Sequence, residues 1–244
     1  MRKLLYTTRN DLSAPYFADW QVEYYDATSG QIPAELVYFR DPFNDPAYQV
    51  NPANIDQLMQ SYQDCHIIDH LASFQDISDT EDKYLQSQRY QDLYPRTWLP
   101  SQQTFTPGQT LAKPRISQRA KDVLFDLGNR KIDDSWIIQE LLDIQEELRV
   151  YVICGQILPI ASIKSSKSTG AVKIIGTRPL NDTEADFVRQ VMAKCPLDVV
   201  GLDIAILPNS QHKLIEVNRS PQFKRYTERT DLNLADLIAK AYER

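Results

Sequence analysis

The sequence predicts an α+β fold in which a short α/β unit precedes a larger α+β domain. Three observations predict it. Short apolar runs alternate with a helical pattern over residues 1–80, as in strands laid parallel with helices between them. The segment YPRTWLP at residues 94–100 then breaks the pattern, because proline removes an N–H and restricts the residue before it. Beyond it, two strand–turn–strand patterns are mixed with amphipathic helices, which builds an antiparallel sheet with helices packed on it.

In chain order, residues 3–7 form a first strand, and residues 34–39 (AELVYF) form a second that stops at Arg40-Asp41-Pro42. Residues 54–63 place Ile55, Leu58, Met59 and Tyr62 at helical spacing, starting at Asn54 or at Asn51-Pro52. Residues 66–69 read as another strand. Asp79 or Thr80 caps a helix over residues 82–93, which ends at the proline segment. Strands follow at 110–114, 123–127 and 136–141, with a turn at Gly128-Asn129. Residues 148–154 turn at Gly155-Gln156 into 157–163. A helix spans 182–193, capped by Asn181 or Asp182. Residues 199–207 and 213–217 form a second hairpin around Pro208-Asn209-Ser210, and an amphipathic helix closes the chain at 231–242. These elements divide into 1–80 and 81–244. The second part subdivides near Leu99 into 99–142 and 143–244.

Composition narrows the function. Of 244 residues, 42% are hydrophobic and 25% charged, ordinary globular usage. A net charge of -6 disfavours bulk attraction to nucleic acid or anionic lipid. Cys65, Cys154 and Cys195 are odd in number and widely spaced, so a disulfide framework or zinc site is not expected and a reducing cytoplasm fits. Cys154 reads as a buried small apolar residue in a strand. Arg9 and Asn10 come too early for a signal-peptide apolar stretch, and no run reaches the ~18–20 apolar residues of a membrane helix. His66, His70 and His212 are too scattered to suggest a metal triad.

The chemistry concentrates in residues 201–221, GLDIAILPNSQHKLIEVNRSP. Asp203 lies on one strand of the expected hairpin. Glu216 and Asn218 lie two apart on the other, so they share a face. Two carboxylates and an amide carbonyl make a hard-oxygen set suited to magnesium, which keeps positions for water and phosphate. The spacing alone fits a solvated hairpin with alternating polar faces equally well.

These residues resemble a known family. The stretch VVGLDIAIL…KLIEVNRSPQF…TDLNLADLIAKAYE is similar to the C-terminal core of ATP-grasp enzymes, with the ribosomal-protein glutamate ligases and graspetide-forming peptide ligases as the nearest branch. Upstream, Asp82-Lys83 followed by residues 93–100 resembles the family's lysine-bearing helix before a P-x-T strand. Lys113-Pro114 resembles its K-P strand, residues 137–142 its adenine hinge, and residues 147–152 its D-I-R strand, with Glu147 in place of Asp. The motifs run in family order over about two thirds of the chain. The loop at 115–123 departs from the pattern: it holds no glycine, where the family approaches phosphates with backbone amides.

The resemblance implies an ATP-grasp fold, two α+β subdomains gripping a nucleotide, preceded by a short α/β unit. It implies ATP and magnesium, with manganese as the alternative ion, held by Asp203, Glu216 and Asn218. It implies nucleotide contacts from Lys83, Lys113, Ser117, Lys121, Gln139, Glu140, Leu141, Leu142 and Glu147, and a reacting centre served by Arg149, Arg219 and Lys113. Read singly, either lysine also fits a surface position, Glu140 an exposed strand-end acid, Arg149 a cross-strand ion pair, and Arg219 with Ser220 a cap or turn. The implied reaction joins a carboxylate to an amine of a small molecule, peptide or protein side chain through an acyl phosphate. The resemblance also admits a homo-oligomer. The rival reading is a nucleotide-binding regulatory protein with little turnover.

Overall fold

A computed structural model of the chain describes residues 1–26, 32–40, 51–116, 123–165 and 174–243. β1 (Lys3–Thr7), β2 (Gln21–Tyr24) and β3 (Leu36–Phe39) are followed by α1 (Pro52–Gln60) and β4 (His66–Ile67). The four strands form a parallel sheet in the order β2-β1-β3-β4. Helix α1 begins at Pro52 because Asn51 caps it, accepting from the Ala53 N–H at 3.0 Å, and proline suits a first helical turn.

The helix expected over residues 82–93 is in fact preceded by another. α2 (Phe74–Glu81) starts at Ser73, and α3 (Lys83–Tyr90) begins anew one residue after α2 ends. The cap of α3 is Asp82 rather than Asp79 or Thr80. Its carboxylate accepts from Tyr84 N–H (2.8 Å) and Leu85 N–H (3.2 Å), so the extended backbone at Asp82 separates the two helices.

β5 (Thr97–Trp98), β6 (Thr110–Pro114) and β7 (Trp136–Glu140) form an antiparallel sheet ordered β5-β7-β6. The strand expected over 123–127 reduces to a single bridge between Leu124 and Ala112. The third sheet comprises β8 (Glu146–Ile153), β9 (Gln156–Ile157), β10 (Ile160–Lys164) and β11 (Ile174–Pro179). After α4 (Asp182–Met192) it is completed by β12 (Val199–Ile206) and β13 (His212–Asn218). Its order is β11-β10-β8-β12-β13, with β9 paired to β8. Helices α5 (Lys224–Thr230) and α6 (Leu234–Tyr242) follow, so the helix expected over 231–242 begins three residues later, at its Asn233 cap.

The β8–β9 turn corrects the expectation for Cys154. Cys154 (φ 46°) and Gly155 (φ 77°) are the two central residues of a tight hairpin turn, and Cys154 is exposed. Left-handed backbone at both positions matches the right-handed strand twist. All three cysteines are free thiols. Among the described residues no helix is long and apolar enough to cross a membrane.

The cores explain why the sheets stack. Leu5, Leu36 and Tyr38 of the parallel sheet share one apolar cluster with Tyr151, Ile153 and Val199 of the third sheet, and with Leu234 and Ile238 of α6. The opposite face of the third sheet, with Val150, Leu202 and Val217, packs on Phe187 and Val188 of α4. The residues just after β13 are clamped by the parallel sheet. Arg40, paired with Asp11 at 2.8 Å, donates to Pro221 O (3.1 Å), and Tyr38 donates its hydroxyl to Arg219 O (3.1 Å). Pro221 in turn lies on Gly201, where a Cβ would fall 2.6 Å from Pro221 Cβ. Gly201→Ala should therefore lower stability by ~1–3 kcal/mol, since overpacked sites must shift backbone. A calorimetric melt unchanged by this substitution would show that the segment is loosely held.

Candidate active site

The site is built by strand alternation on one face of the third sheet. Register sets Arg149 of β8 opposite both Ser162 of β10 and Asp203 of β12. Lys164 and Ala205 both stand opposite Glu147, Asp203 opposite Glu216, and Gly201 opposite Asn218. Directly opposed residues project from the same face. Glu147, Arg149, Lys164, Asp203, Glu216 and Asn218 therefore line one surface, while Leu148, Val150 and Leu202 between them enter the core. A bulge in β13 leaves Ile215 unpaired, so Leu214 and Val217, three residues apart, both enter the core while Glu216 stands opposite Asp203.

Helix α3 supplies the next group. β13 is the sheet edge, and Gln86 caps it as another strand would. The Gln86 carboxamide accepts from Val217 N–H and donates to Val217 O, both at 2.9 Å. Lys83 lies one turn before Gln86, which brings its ammonium 3.1 Å from Glu216. The β5-β7-β6 sheet is tied to the same helix end. Arg115 forks onto Asp82 (Nη2–Oδ2 2.5 Å), and the Lys83 N–H donates to Arg115 O at 3.0 Å. Lys113, two residues earlier on β6, is thereby placed among these charges.

Asp203 is the most heavily bonded of the carboxylates. Arg149 donates to both its oxygens (Nε–Oδ1 2.7 Å, Nη2–Oδ2 2.8 Å), and Lys164 donates to Oδ2 at 2.6 Å. Lys164 also pairs with Glu147. Burial alone would raise the Asp203 pKa, but Arg149 and then Lys164 outweigh it and hold the carboxyl well below the usual range. Glu147, with burial as its largest influence, goes the other way and is raised. The Asn218 amide donates to Gly201 O at 3.2 Å, which leaves its oxygen as the atom to meet a cation.

Lys113 is the outlier. It is 7% exposed, and no described residue takes a hydrogen bond or ion pair from it. Burial, then the charge of Lys83, pull its pKa from 10.5 down to about 8, against Glu216 and Glu147. The cluster thus holds four basic side chains, Lys83, Lys113, Arg149 and Lys164, against three carboxylates, Glu147, Asp203 and Glu216. Among the described residues it is an interior surplus of positive charge, with the Lys113 ammonium unmatched. An anion of several charges is the ligand that balances it. The oxygen set of Asp203, Glu216 and Asn218 suits a hard cation that completes its shell with water or phosphate. Among the described residues no three His, Cys, Asp or Glu side chains gather as a metal group, so these three donors alone make a partial shell.

Other residues named from the sequence lie elsewhere. Gln139 is buried and donates to Thr97 Oγ1 at 2.9 Å, and Glu140 accepts from Arg96 through both oxygens. In the hinge the Leu141 N–H is spent on Gln109 O (2.8 Å), whereas no described residue accepts from Leu142 N–H. Arg219 turns to the face opposite Asn218. It is fully buried, donates to Phe39 O at 2.5 Å, and lies 3.9 Å from Asp69, away from Arg149. Ser117 and Lys121 lie outside the described residues. From the sequence, Lys164 reads only as one of three lysines, with Lys167 and Lys173, in the region where the family's lid-loop arginine and asparagine are expected, and it carries no assigned site role there. The signal available was its period-two spacing from Ser162, which needed the β10–β8 register to have meaning.

No family model matches this chain, and no curated protein matches it. Solved structures do. The ATP-grasp ligase PsnB complexed with a minimal precursor superposes with a TM-score of 0.69 at 16% identity, over 98% of each chain. The D-cycloserine synthetase DcsG gives 0.70 at 13% identity over 99% of each chain. The macrocyclase MdnC of Microcystis aeruginosa MRC, bound with precursor peptide MdnA, gives 0.65 at 16% identity over 99% of each chain. At such identities the likeness is one of fold, and over nearly its whole length the chain has the fold of these ATP-grasp ligases.

Proposed function

We propose that this chain is an ATP-dependent carboxylate–amine ligase that acts on a peptide or protein side chain. The observation that carries the proposal is Lys113, a buried lysine that pairs with no described residue, in a cluster of surplus positive charge. A nucleotide triphosphate has the charge and the reach to balance it. The oxygen donors Asp203, Glu216 and Asn218 fit magnesium, which would neutralise phosphate oxygens as charge moves between them. Similar folds support this choice: PsnB is seen with magnesium and ADP and with AMPPNP and a precursor peptide, and MdnC with its precursor.

In this reading a substrate carboxylate attacks the terminal phosphate of ATP, giving an acyl phosphate and ADP. An amine then attacks the acyl carbon and releases phosphate. Lys83, Lys113 and Arg149 hold and neutralise the phosphates, so catalysis is positioning and charge stabilisation without a covalent nucleophile. Leu142, with its N–H available, is the hinge donor for the adenine edge. Arg219 holds the segment behind Asn218 instead of touching substrate. The division into 1–80, 99–142 and 143–244 belongs to the same reading; the parallel sheet lies in the first range, the largest sheet in the last, and β6 and β7 in the middle one, with β5 just ahead of it. The free thiols support a cytoplasmic setting.

The first test is thermal unfolding with and without ATP plus magnesium, on the wild type and on Glu216→Ala. A ligand at a hundredfold excess over its Kd adds ~2.7 kcal/mol to the folded state. A magnesium-dependent rise in the wild type that disappears in Glu216→Ala is expected. No rise at millimolar nucleotide would leave only the fold in common with these ligases. The glycine-free loop 115–123 favours a second reading, a regulatory nucleotide binder. ADP release with pooled amino acids and peptides separates the two.

A further inference from the structure

Lys164 bridges two cross-strand pairs. It stands opposite Glu147 in β8, and its ammonium also reaches past Arg149 to Asp203 in β12. Its side chain is 7% exposed, so this is an interior arrangement and not a surface ion pair. With Arg149 it places three donors on the two oxygens of Asp203. A divalent ion bound to Asp203 Oδ2 would sit beside an ammonium on the same atom. Two cations on one oxygen repel each other in a medium that screens poorly. The ammonium is the more mobile of Asp203's two partners, being a point charge on a four-carbon stem, whereas Arg149 is fixed as a planar two-point fork. Glu147 remains as its second partner when it lets go of Asp203.

We propose that Lys164 is a built-in counter-cation for the metal position. It holds Asp203 in the nucleotide-free chain and keeps a free divalent ion from binding there. It yields only when the ion arrives with an anion that gives the ammonium a new partner. Metal therefore enters as the nucleotide complex and not ahead of it. This rests on the nucleotide-site reading above and deepens it by fixing the order of binding.

The test is direct titration with manganese, read as metal retained with the protein in equilibrium dialysis against buffer with and without AMPPNP on both sides of the membrane. The wild type should bind manganese weakly alone and at least about tenfold more tightly with AMPPNP. Lys164→Met should bind manganese alone about tenfold or more tightly than the wild type, as expected when one charge-assisted hydrogen bond no longer has to be surrendered. Lys164→Arg, which keeps the charge, should behave as the wild type does. Equal affinity for free manganese in the wild type and Lys164→Met overturns the proposal, as does Lys164→Arg binding like Lys164→Met. If Lys164→Met does not fold, the wild-type pair decides: manganese bound alone as tightly as with AMPPNP also overturns it. A wild type that binds no manganese even with AMPPNP overturns the underlying nucleotide reading instead, so the two failures are distinct.

Discussion

Lys113→Met should raise the melting temperature of the nucleotide-free chain at pH 7 and abolish its response to nucleotide. Both effects come from one fact, that Lys113 is buried and pairs with no described residue. Its pKa falls from 10.5 to about 8, chiefly through burial and then through Lys83. Each unit is worth ~1.4 kcal/mol, so carrying this charge costs the fold about 3 kcal/mol at neutral pH. In a chain of this size that corresponds to a rise of ~6–12 °C on removal. The sign follows from proton counts. Between pH 8 and 10.5 the unfolded chain holds more protons on this group than the folded one does. Wild-type stability therefore gains on the variant's as pH rises through that window, and the difference closes near 10.5. Nucleotide phosphate beside Lys113 favours the charged form, so wild-type affinity should weaken as pH climbs past about 8. Differential scanning calorimetry across pH 6–10.5, with and without ATP and magnesium, measures all three trends. A Lys113→Met variant that is less stable at pH 7 and still shifts with nucleotide would remove the central observation behind the proposed function.

The hairpin at 199–217 was legible because its physics is local. Alternation put Glu216 and Asn218 on one face, and the turn residues Pro208-Asn209-Ser210 set Asp203 across from them. Applied one residue further, the same rule would have turned Arg219 away; sequence adjacency to Asn218 placed it at the reacting centre, whereas the fold sends it to Phe39 and Asp69. Lys164 and the Gly201–Pro221 approach depend on pairings between distant segments, which no single stretch encodes. The same holds for β2 and β11, both sheet edges whose half-exposed residues lack a clear period. α2 carries few apolar residues in FQDISDTE and is held by the Ser73 cap and by Ile77 in the core, so its helical pattern was faint. Residues 123–127 have strand-like composition but only Leu124 finds a partner, which is tertiary context overriding propensity.

Asp203→Ala should act in the opposite direction from Lys113→Met, and by as much or more. It strips both oxygens from Arg149 and one from Lys164, leaving Arg149 without its carboxylate and Lys164 with Glu147 alone. Breaking a buried pair in this way costs about 3–5 kcal/mol, equivalent here to a fall of ~6–20 °C. Because Arg149 and Lys164 depress the Asp203 pKa below its unfolded value, this stabilisation is complete above about pH 4. It is lost as pH falls through the folded pKa, so the variant's melt should depend less on acid than the wild type's. A cycle with Lys164→Met apportions the loss. If Lys164 is bound chiefly through Asp203, the double variant should be less destabilised than the two singles predict. Strict additivity would mean that Glu147 alone holds the lysine. The contrast between the two sites is the sharper test. The cluster should gain stability when Lys113, the cation that pairs with no described residue, is removed, and lose it when a carboxylate is removed. Both substitutions destabilising to the same degree would indicate that packing, and not the charge surplus, governs this face of the sheet.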